Sequence, residues 1–414
     1  MAERLAASSY PADEALLAEL RAAWPPPGAA GSEPTAVLRV AERYGIALTL
    51  EHDAGSYVVT LLVRDGDRWR RARPGDGLSS FVAGVPVASE RAIGVDQTNE
   101  SVVVGERVMV KWFRRVGPGA SRAPLLLAHL EAVGFREIPA PVGTIQWRSP
   151  TGIDLTLAQG DAFLASARDG WEWAVERLRR HVEHPETDCP VGCEPWIGRP
   201  IGQLVARLHA AFQWPSVGIP KPVRLAPLRS IGGWRAAAVA TLADAIRLTA
   251  EQDPEAATFL ATIEPALRAD LEAYPLIRTV PIQPVHGDLH VGQVLEWSGG
   301  FAVVDFDGNP ALHDRGNPLR QPVERDIAQM LTSIDHVGRI VDRQTAGSRR
   351  SIVEAWIART RREFLGTLDA DPRLLAAFEV EQECRELVYA ARFLPRWRYA
   401  PMATLRARFG GGMP

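Results

Sequence analysis

Apolar positions recur at helical spacing from Asp13 to Trp24 and again around Thr35 to Tyr44, which predicts two helices, the first ended by Pro25-Pro26-Pro27-Gly28. From Ala47 the pattern becomes alternation, as in Tyr57 to Val63. With Asp65-Gly66-Asp67 at its end it predicts strand, turn and strand. Two more β-rich runs, Ser101 to Gly105 and Arg107 to Phe113, meet at Gly105-Glu106 as a hairpin would. A helix at Leu125 to Val133 and a strand near Val142 to Trp147 follow. Beyond Asp169 helical periodicity dominates, at Trp171 to His184, Ile201 to Phe212, Trp234 to Thr249 and Glu255 to Tyr274. Short strands and loops interrupt it at 283 to 310, and helices resume at Glu324. The expectation is an α+β fold: a cap subdomain over 1–88, a small β-rich lobe over 89–160 and a large α-rich lobe over 161–414. There is no internal repeat.

Composition narrows the classes of function. At 414 residues and 46% hydrophobic content the chain can build two or more cored domains. Its 47 Lys plus Arg against 50 Asp plus Glu, a net charge of −3, give no electrostatic case for nucleic acid or an anionic membrane as main partner. No run approaches the roughly 18 apolar residues of a membrane span. The first ten residues lack a basic segment followed by an apolar stretch, and three cysteines cannot staple a chain this long, so a cytoplasmic setting is expected. Only two of the 47 basic residues are lysines, Lys111 and Lys221. Where Arg serves for generic positive charge, a retained Lys marks a site that needs a compact cation on a flexible stem. Lys111 stands in the apolar strand Val108 to Trp112, where a charge is costly without a partner. Lys221, between Pro220 and Pro222, reads as a surface loop residue.

The densest chemical signal is His286-Gly287-Asp288-Leu289-His290-Val291-Gly292-Gln293, followed by Val303-Val304-Asp305-Phe306-Asp307-Gly308. Phosphoryl transfer to a hydroxyl requires such a pair. One carboxylate, Asp288, accepts the acceptor's proton, and another, Asp305, holds a metal that bridges the phosphates. Gln293, five residues after Asp288, offers a carbonyl oxygen to a hard cation such as Mg²⁺, and Asp307 is a second carboxylate ligand. His286 reads as a buried ring bonding the loop backbone, His290 as a substrate contact, and Asp326 as a brace for the loop. Asp314-Arg315 and Arg325-Asp326 frame helix starts.

Those loops, with Ile93 to Val103, Lys111-Trp112-Phe113-Arg114-Arg115, Asp169-Gly170-Trp171-Glu172 and Asp305 to Pro310, resemble the maltokinase-like branch of the aminoglycoside-phosphotransferase-type kinases. The resemblance covers nearly the whole chain. It implies a bilobal, protein-kinase-like fold with an N-terminal α/β cap, ATP and Mg²⁺ as cofactors, and a monomer or small homo-oligomer. It also implies that Lys111 contacts the ATP phosphates, that Gln97, Thr98, Asn99 and Ser101 belong to the phosphate-covering loop, and that Ala158-Gln159-Gly160-Asp161 is the hinge at adenine. The sequence departs from the branch at Leu125, where a Glu partner for the strand lysine is usual; the nearest acid is Glu131.

Asp307 and Asn309 stand where that branch tends to show Glu, and a late helix carries further departures. Glu383 replaces a small residue, and Gln382 and Arg385 replace a Lys and a Tyr. More carboxylate and less cation suit a small cationic sugar, and the changes resemble actinobacterial glucosamine kinases. They imply transfer of the ATP γ-phosphoryl group to the 6-hydroxyl of D-glucosamine, with Glu383 or Glu386 on the ammonium. Positions 379, 382, 383, 386 and 389 share a face, so Gln382, Glu383, Glu386 and Tyr389 join Asp288 and His290 as expected substrate residues, with Trp397 stacking on the sugar. A solvated acidic helix face is the plain alternative. Maltokinase, an aminoglycoside kinase and a catalytically silent nucleotide-binding module are the rival functions. His181, His184, Cys189 and Cys193 have a spacing that zinc accepts, but the helix is rich in charge and the resemblance brings no zinc.

Overall fold

The computed structural model describes residues 8–29, 31–51, 56–85, 89–93, 99–117, 121–184, 194–272, 274, 279–309 and 318–410. It forms two compact units, residues 1–131 with 138–166 and residues 132–137 with 167–414.

The first unit is built on two sheets. β1 (Ser8–Ser9) precedes α1 (Glu14–Ala22), whose N-cap Asp13 accepts from the Leu16 amide. β2 (Ala36–Arg39), β3 (Tyr44–Glu51), β4 (Ser56–Asp65) and β5 (Arg68–Arg71) then pair in sequence order as an antiparallel sheet. After the short α2 (Leu78–Val82) come β6 (Glu90–Ala92), β7 (Glu100–Val104), β8 (Val108–Trp112) and β9 (Arg115–Val116). α3 (Arg122–Ala132) leads to β10 (Pro141–Arg148) and β11 (Asp154–Ala162). The second sheet has the order β1-β10-β11-β8-β7-β6, and β9 joins the first sheet beside β4. Leu38, Ile46 and Leu48 of the first sheet share a core with Val102, Val110, Trp112 and Leu157 of the second, so the segments expected as cap and small lobe are one packed body. On the other face of the first sheet, Leu16, Leu17 and Leu20 of α1 cover Val37, Ala47 and Leu62.

Thr35 to Tyr44 is therefore strand and turn, a correction of the helix its spacing predicts. With α1 on one face and the second sheet on the other, β2 buries both sets of side chains. Such a strand shows an unbroken apolar run that periodicity cannot tell from a helix. The β7–β8 hairpin forms as expected, with Gly105 and Glu106 both at positive φ.

The second unit is mainly helical: α4 (Gly170–Glu183), α5 (Gly198–Ala211), α6 (Leu228–Ala250), α7 (Pro254–Leu271), α8 (Glu324–Gln344), α9 (Arg350–Leu365), α10 (Pro372–Arg392) and α11 (Tyr399–Phe409). β12 (Arg224–Leu225), β13 (Pro281–Pro284) and β16 (Arg320–Gln321) form a small sheet, and β14 (Val294–Trp297) with β15 (Gly300–Val303) a hairpin. Asp253 and Asp371 cap α7 and α10, each followed by a proline at the first helical position, the arrangement that satisfies or removes orphan amides there. α8 is buried along nearly its whole length. Asp314-Arg315 lies outside the described residues. No described helix is long and apolar enough to cross a membrane.

Candidate active site

In the second unit the chain leaves β13 and enters a loop that α8 holds from beneath. Asp326, fully buried, accepts from the backbone amides of His286 and Gly287, each at 2.8 Å, and lies 3.1 Å from Nε2 of His209. One turn on, Gln329 accepts from the Leu289 amide through Oε1 at 3.1 Å and places Nε2 3.3 Å from Oδ1 of Asp288. The next turn brings Ser333, whose hydroxyl accepts from the Val291 amide at 2.9 Å. Three polar side chains at i, i+3 and i+7 thus pin successive parts of one loop to one helix face. Burial alone would raise the Asp326 pKa, but His209 and the loop amides hold it below the usual carboxylate range. Asp326 is the brace that the sequence suggests. His286 is structural as expected: its ring is buried, bonds the Val304 carbonyl at 2.8 Å and tilts against Phe306.

Asp288 is half-buried at the loop's turn. Its pKa is pushed up to about 7, first by burial and then by the negative fields of Asp305 and Glu386, with His286 and Arg385 opposing. A carboxylate with this affinity for a proton suits a general base near neutral pH. Burial holds the neighbouring His290 ring below its ordinary pKa, so it is neutral at pH 7.

The β14–β15 hairpin brings the expected metal ligands to one end. Val294 pairs with Val303, and the Val304 amide donates to the Gln293 carbonyl at 3.0 Å, so Gln293 and Asp305 emerge side by side. Phe306 is buried against His286, and the residues on either side of it point outward, Asp305 exposed and Asp307 half-buried. Asp305 holds φ +62°, a conformation non-glycine residues seldom adopt and one that clusters at functional sites. Among the described residues no three His, Cys, Asp or Glu side chains converge as an all-protein metal site would require. Two carboxylates and an amide oxygen are the donor set Mg²⁺ takes when phosphate and water complete its shell.

The motif Asp169-Gly170-Trp171 docks on this loop. Asp169 caps α4 through the Trp171 amide, and a Cβ on Gly170 would collide with the Val291 carbonyl oxygen, so only glycine lets the helix start so close. Trp171 then stacks on His290, with centroids 5.9 Å apart and planes at 29°. Trp397, on a single 3-10 turn, stands edge-on to Trp171 at 5.9 Å and to His336 at 5.4 Å. Its Nε1 donates to Glu386 at 2.9 Å, and Gln382 Nε2 donates to the other oxygen of that carboxylate at 3.0 Å. Glu386 acts electrostatically on both Asp288 and His290. Trp171, Trp397 and His290 thus form one aromatic cluster tied to Glu386, whose charge acts on Asp288.

Other expected residues sit elsewhere. Glu383 is 3% exposed and bonds His336 Nε2 at 3.1 Å. Burial pushes Glu383 up to about 7, while the Glu383 charge, against burial, raises His336, so the pair retains a proton at neutral pH. Glu383 thus stands behind the site and supports His336 and, through it, Trp397. Tyr389 is half exposed and packs on Phe393. The solvated acidic face considered for this helix does not exist: Glu379, Glu381, Gln382 and Glu383 are all buried, and Glu381 is paired with Arg325 and Arg385. Sequence reasoning missed Gln329, Ser333, His336 and the place of Trp171. The signal was the polar spacing 326, 329, 333, 336, which places four hydrogen-bonding side chains along one face of the helix.

In the first unit, Ser101, Lys111 and Gln159 lie directly opposite one another across β7, β8 and β11 and share the face away from the core that holds Val110 and Trp112. Gln159 Nε2 donates to Asp161 at 2.6 Å. The segment expected as hinge, 158–161, is strand β11. The compact unit ends at Ser166, because the pairing with β8 runs through Ala162 and only then frees the chain. Asn99 and Ser101 line a cavity of ≈350 Å³ with Arg71, Arg73 and Arg114. Gln97 and Thr98 lie outside the described residues, as do Cys189 and Cys193; His181 packs against Trp196.

No family model matches the chain. Curated proteins do. A glucosamine kinase of Streptacidiphilus jiangxiensis is 36% identical over 406 residues, covering 89% of this chain and 90% of that protein. A glucosamine kinase of Mycolicibacterium smegmatis is 34% identical over 388 residues, covering 84% and 92%. A solved glucosamine kinase in complex with glucosamine, ADP and inorganic phosphate is 31% identical, covers 98% of both chains and superposes with a TM-score of 0.78. The mixed helix-and-sheet architecture is theirs, and at this identity and coverage the chain belongs to the glucosamine kinase family.

Proposed function

We propose that the protein transfers the γ-phosphoryl group of ATP to the 6-hydroxyl of D-glucosamine, giving ADP and glucosamine 6-phosphate. The observation that supports this most is the Glu386 carboxylate, oriented by Trp397 and Gln382 at the aromatic cluster, with its charge acting on Asp288. An ammonium group is the substituent that such a half-buried, oriented carboxylate favours by charge-assisted hydrogen bonding, and sugar faces pack on indole rings. A neutral disaccharide would gain nothing from the charge. The names of the relatives, and the ligands of the solved structure, support the same substrate.

Asp288 orients the acceptor hydroxyl and takes its proton as the oxygen attacks. Gln329 fixes one oxygen of Asp288, which leaves the other for the acceptor. Lys111, with Asn99, Ser101, Gln159 and the Gln97-Thr98 segment, is assigned to the nucleotide. Gln293, Asp305 and Asp307 would hold Mg²⁺, which when bound neutralises charge on the phosphates. Phosphorus NMR of the product after incubation with ATP, Mg²⁺ and glucosamine tests the reading. A phosphomonoester on carbon 6, absent with Asp288→Ala, is expected; turnover of maltose to a 1-phosphate with glucosamine inert would overturn it.

A further inference from the structure

Trp397 also lines a second cavity, of ≈520 Å³, that none of the acceptor residues apart from Trp397 itself reaches. Ile340 and Leu394 give it an apolar floor, and Arg343, Gln344, Arg396 and Tyr399 a polar wall. Its charge is opposite to that of the acceptor site: two guanidinium groups and no carboxylate. Nearby arginines are neutralised, Arg392 facing Asp244 and Arg398 bonded to Asp253. Among the described residues Arg343 and Arg396 have no carboxylate partner; Arg343 lies over the Tyr399 ring at 4.1 Å and donates to the Arg396 carbonyl. Trp397 and Tyr399 stand edge to face at 6.0 Å. The volume is within the range of small-molecule sites, a planar guanidinium fork matches phosphate oxygens, and aromatic faces accept sugar rings.

We propose that this cavity binds a hexose phosphate, its phosphate held by Arg343 and Arg396 and its ring packed on Tyr399 and Trp397. Trp397 carries the effect to the acceptor site, because the same indole donates to Glu386 and abuts Trp171 and His336. A phosphorylated amino sugar is also the class of product that the proposed reaction releases. Control of turnover by that product rests on the proposed function; the binding site does not.

Isothermal titration of the full chain with glucosamine 6-phosphate, glucose 6-phosphate and inorganic phosphate tests the site. It is paired with initial rates at varied glucosamine and fixed hexose phosphate. Both sugar phosphates are expected to bind more tightly than phosphate alone and to inhibit without competing with glucosamine. Arg396→Ala, and the double variant with Arg343→Ala, should weaken binding about tenfold or more, as loss of charge-assisted bonds does, with kcat and the glucosamine KM unchanged when no effector is present. No binding at millimolar concentration, affinity equal to that of inorganic phosphate, indifference to Arg396→Ala, or purely competitive inhibition would overturn the proposal. A protein that binds hexose phosphate through Arg396 yet turns over no glucosamine would keep the site and refute the function.

Discussion

Asp326→Asn isolates what holds the catalytic loop. Three donors converge on one buried carboxylate: the amides of His286 and Gly287 at 2.8 Å and His209 at 3.1 Å. Asparagine keeps one oxygen, and it loses least when that oxygen takes the place of Oδ2, which serves His286 and His209. The Gly287 amide then faces an NH₂ group, so a charge-assisted bond is lost and a buried donor is left without an acceptor. The lost bond and the stranded donor are one event, and it costs about 1.5–3 kcal/mol. Gly287 precedes Asp288, so the base moves with the loop, and a displacement near 1 Å costs about a hundredfold in rate. The folded-state pKa of Asp326 lies below its unfolded value, so its contribution is present above the unfolded value and lost as pH falls through the folded one. Urea unfolding at pH 7 should show the deficit, and it should shrink only in strongly acidic buffer, below about pH 4. Stability within about 0.5 kcal/mol of the parent protein, or unchanged kcat, would refute this account of the loop.

Asp288→Asn is expected to abolish turnover while stabilising the ligand-free protein at alkaline pH. A carboxyl group whose folded pKa of about 7 exceeds its unfolded value destabilises the fold increasingly as pH rises from about 4 through 7. The gain in melting temperature over the parent should therefore be larger at pH 8 than at pH 4.5, and an equal gain at both would contradict the buried environment. For the parent enzyme, kcat/KM should fall about tenfold per unit on acidification below that pKa. Gly170→Ala drives a methyl into the Val291 carbonyl and should cost about 1–3 kcal/mol and most of the activity, whereas Gly232→Ala, with open space around its Cβ, should cost neither.

How much of this was legible depends on whether the signal was local. The loop from His286 to Gln293 and the Asp305-Phe306-Asp307 run were legible because the residues that build them lie within a few positions of one another. The β8 strand was legible from its apolar run, within which the scarcity of lysine singled out Lys111. The β2 strand was misread because burial on both faces erases alternation. The late helix was read as a recognition face, yet α10 is buried around most of its circumference: Glu383 serves His336, Glu381 serves Arg325 and Arg385, and of the acids on that stretch Glu386 is the one whose charge acts on Asp288. Nothing within α10 distinguishes these roles, because each is set by a partner elsewhere in the chain. The α8 stripe of Asp326, Gln329, Ser333 and His336 was within reach, since its spacing is helical, but its meaning appears only when the loop is seen lying on it.

The central claim is that Glu386 reads an ammonium group beside the base Asp288. The direct measurement is kcat/KM by coupled ADP release for glucosamine, glucose, N-acetylglucosamine and maltose, in the parent enzyme and in Glu386→Gln. The account requires strong preference for glucosamine in the parent and a loss of at least about tenfold in the glucosamine-to-glucose ratio in the variant, the effect of one charge-assisted hydrogen bond. Preference for maltose in the parent, or an unchanged ratio in Glu386→Gln, would contradict it.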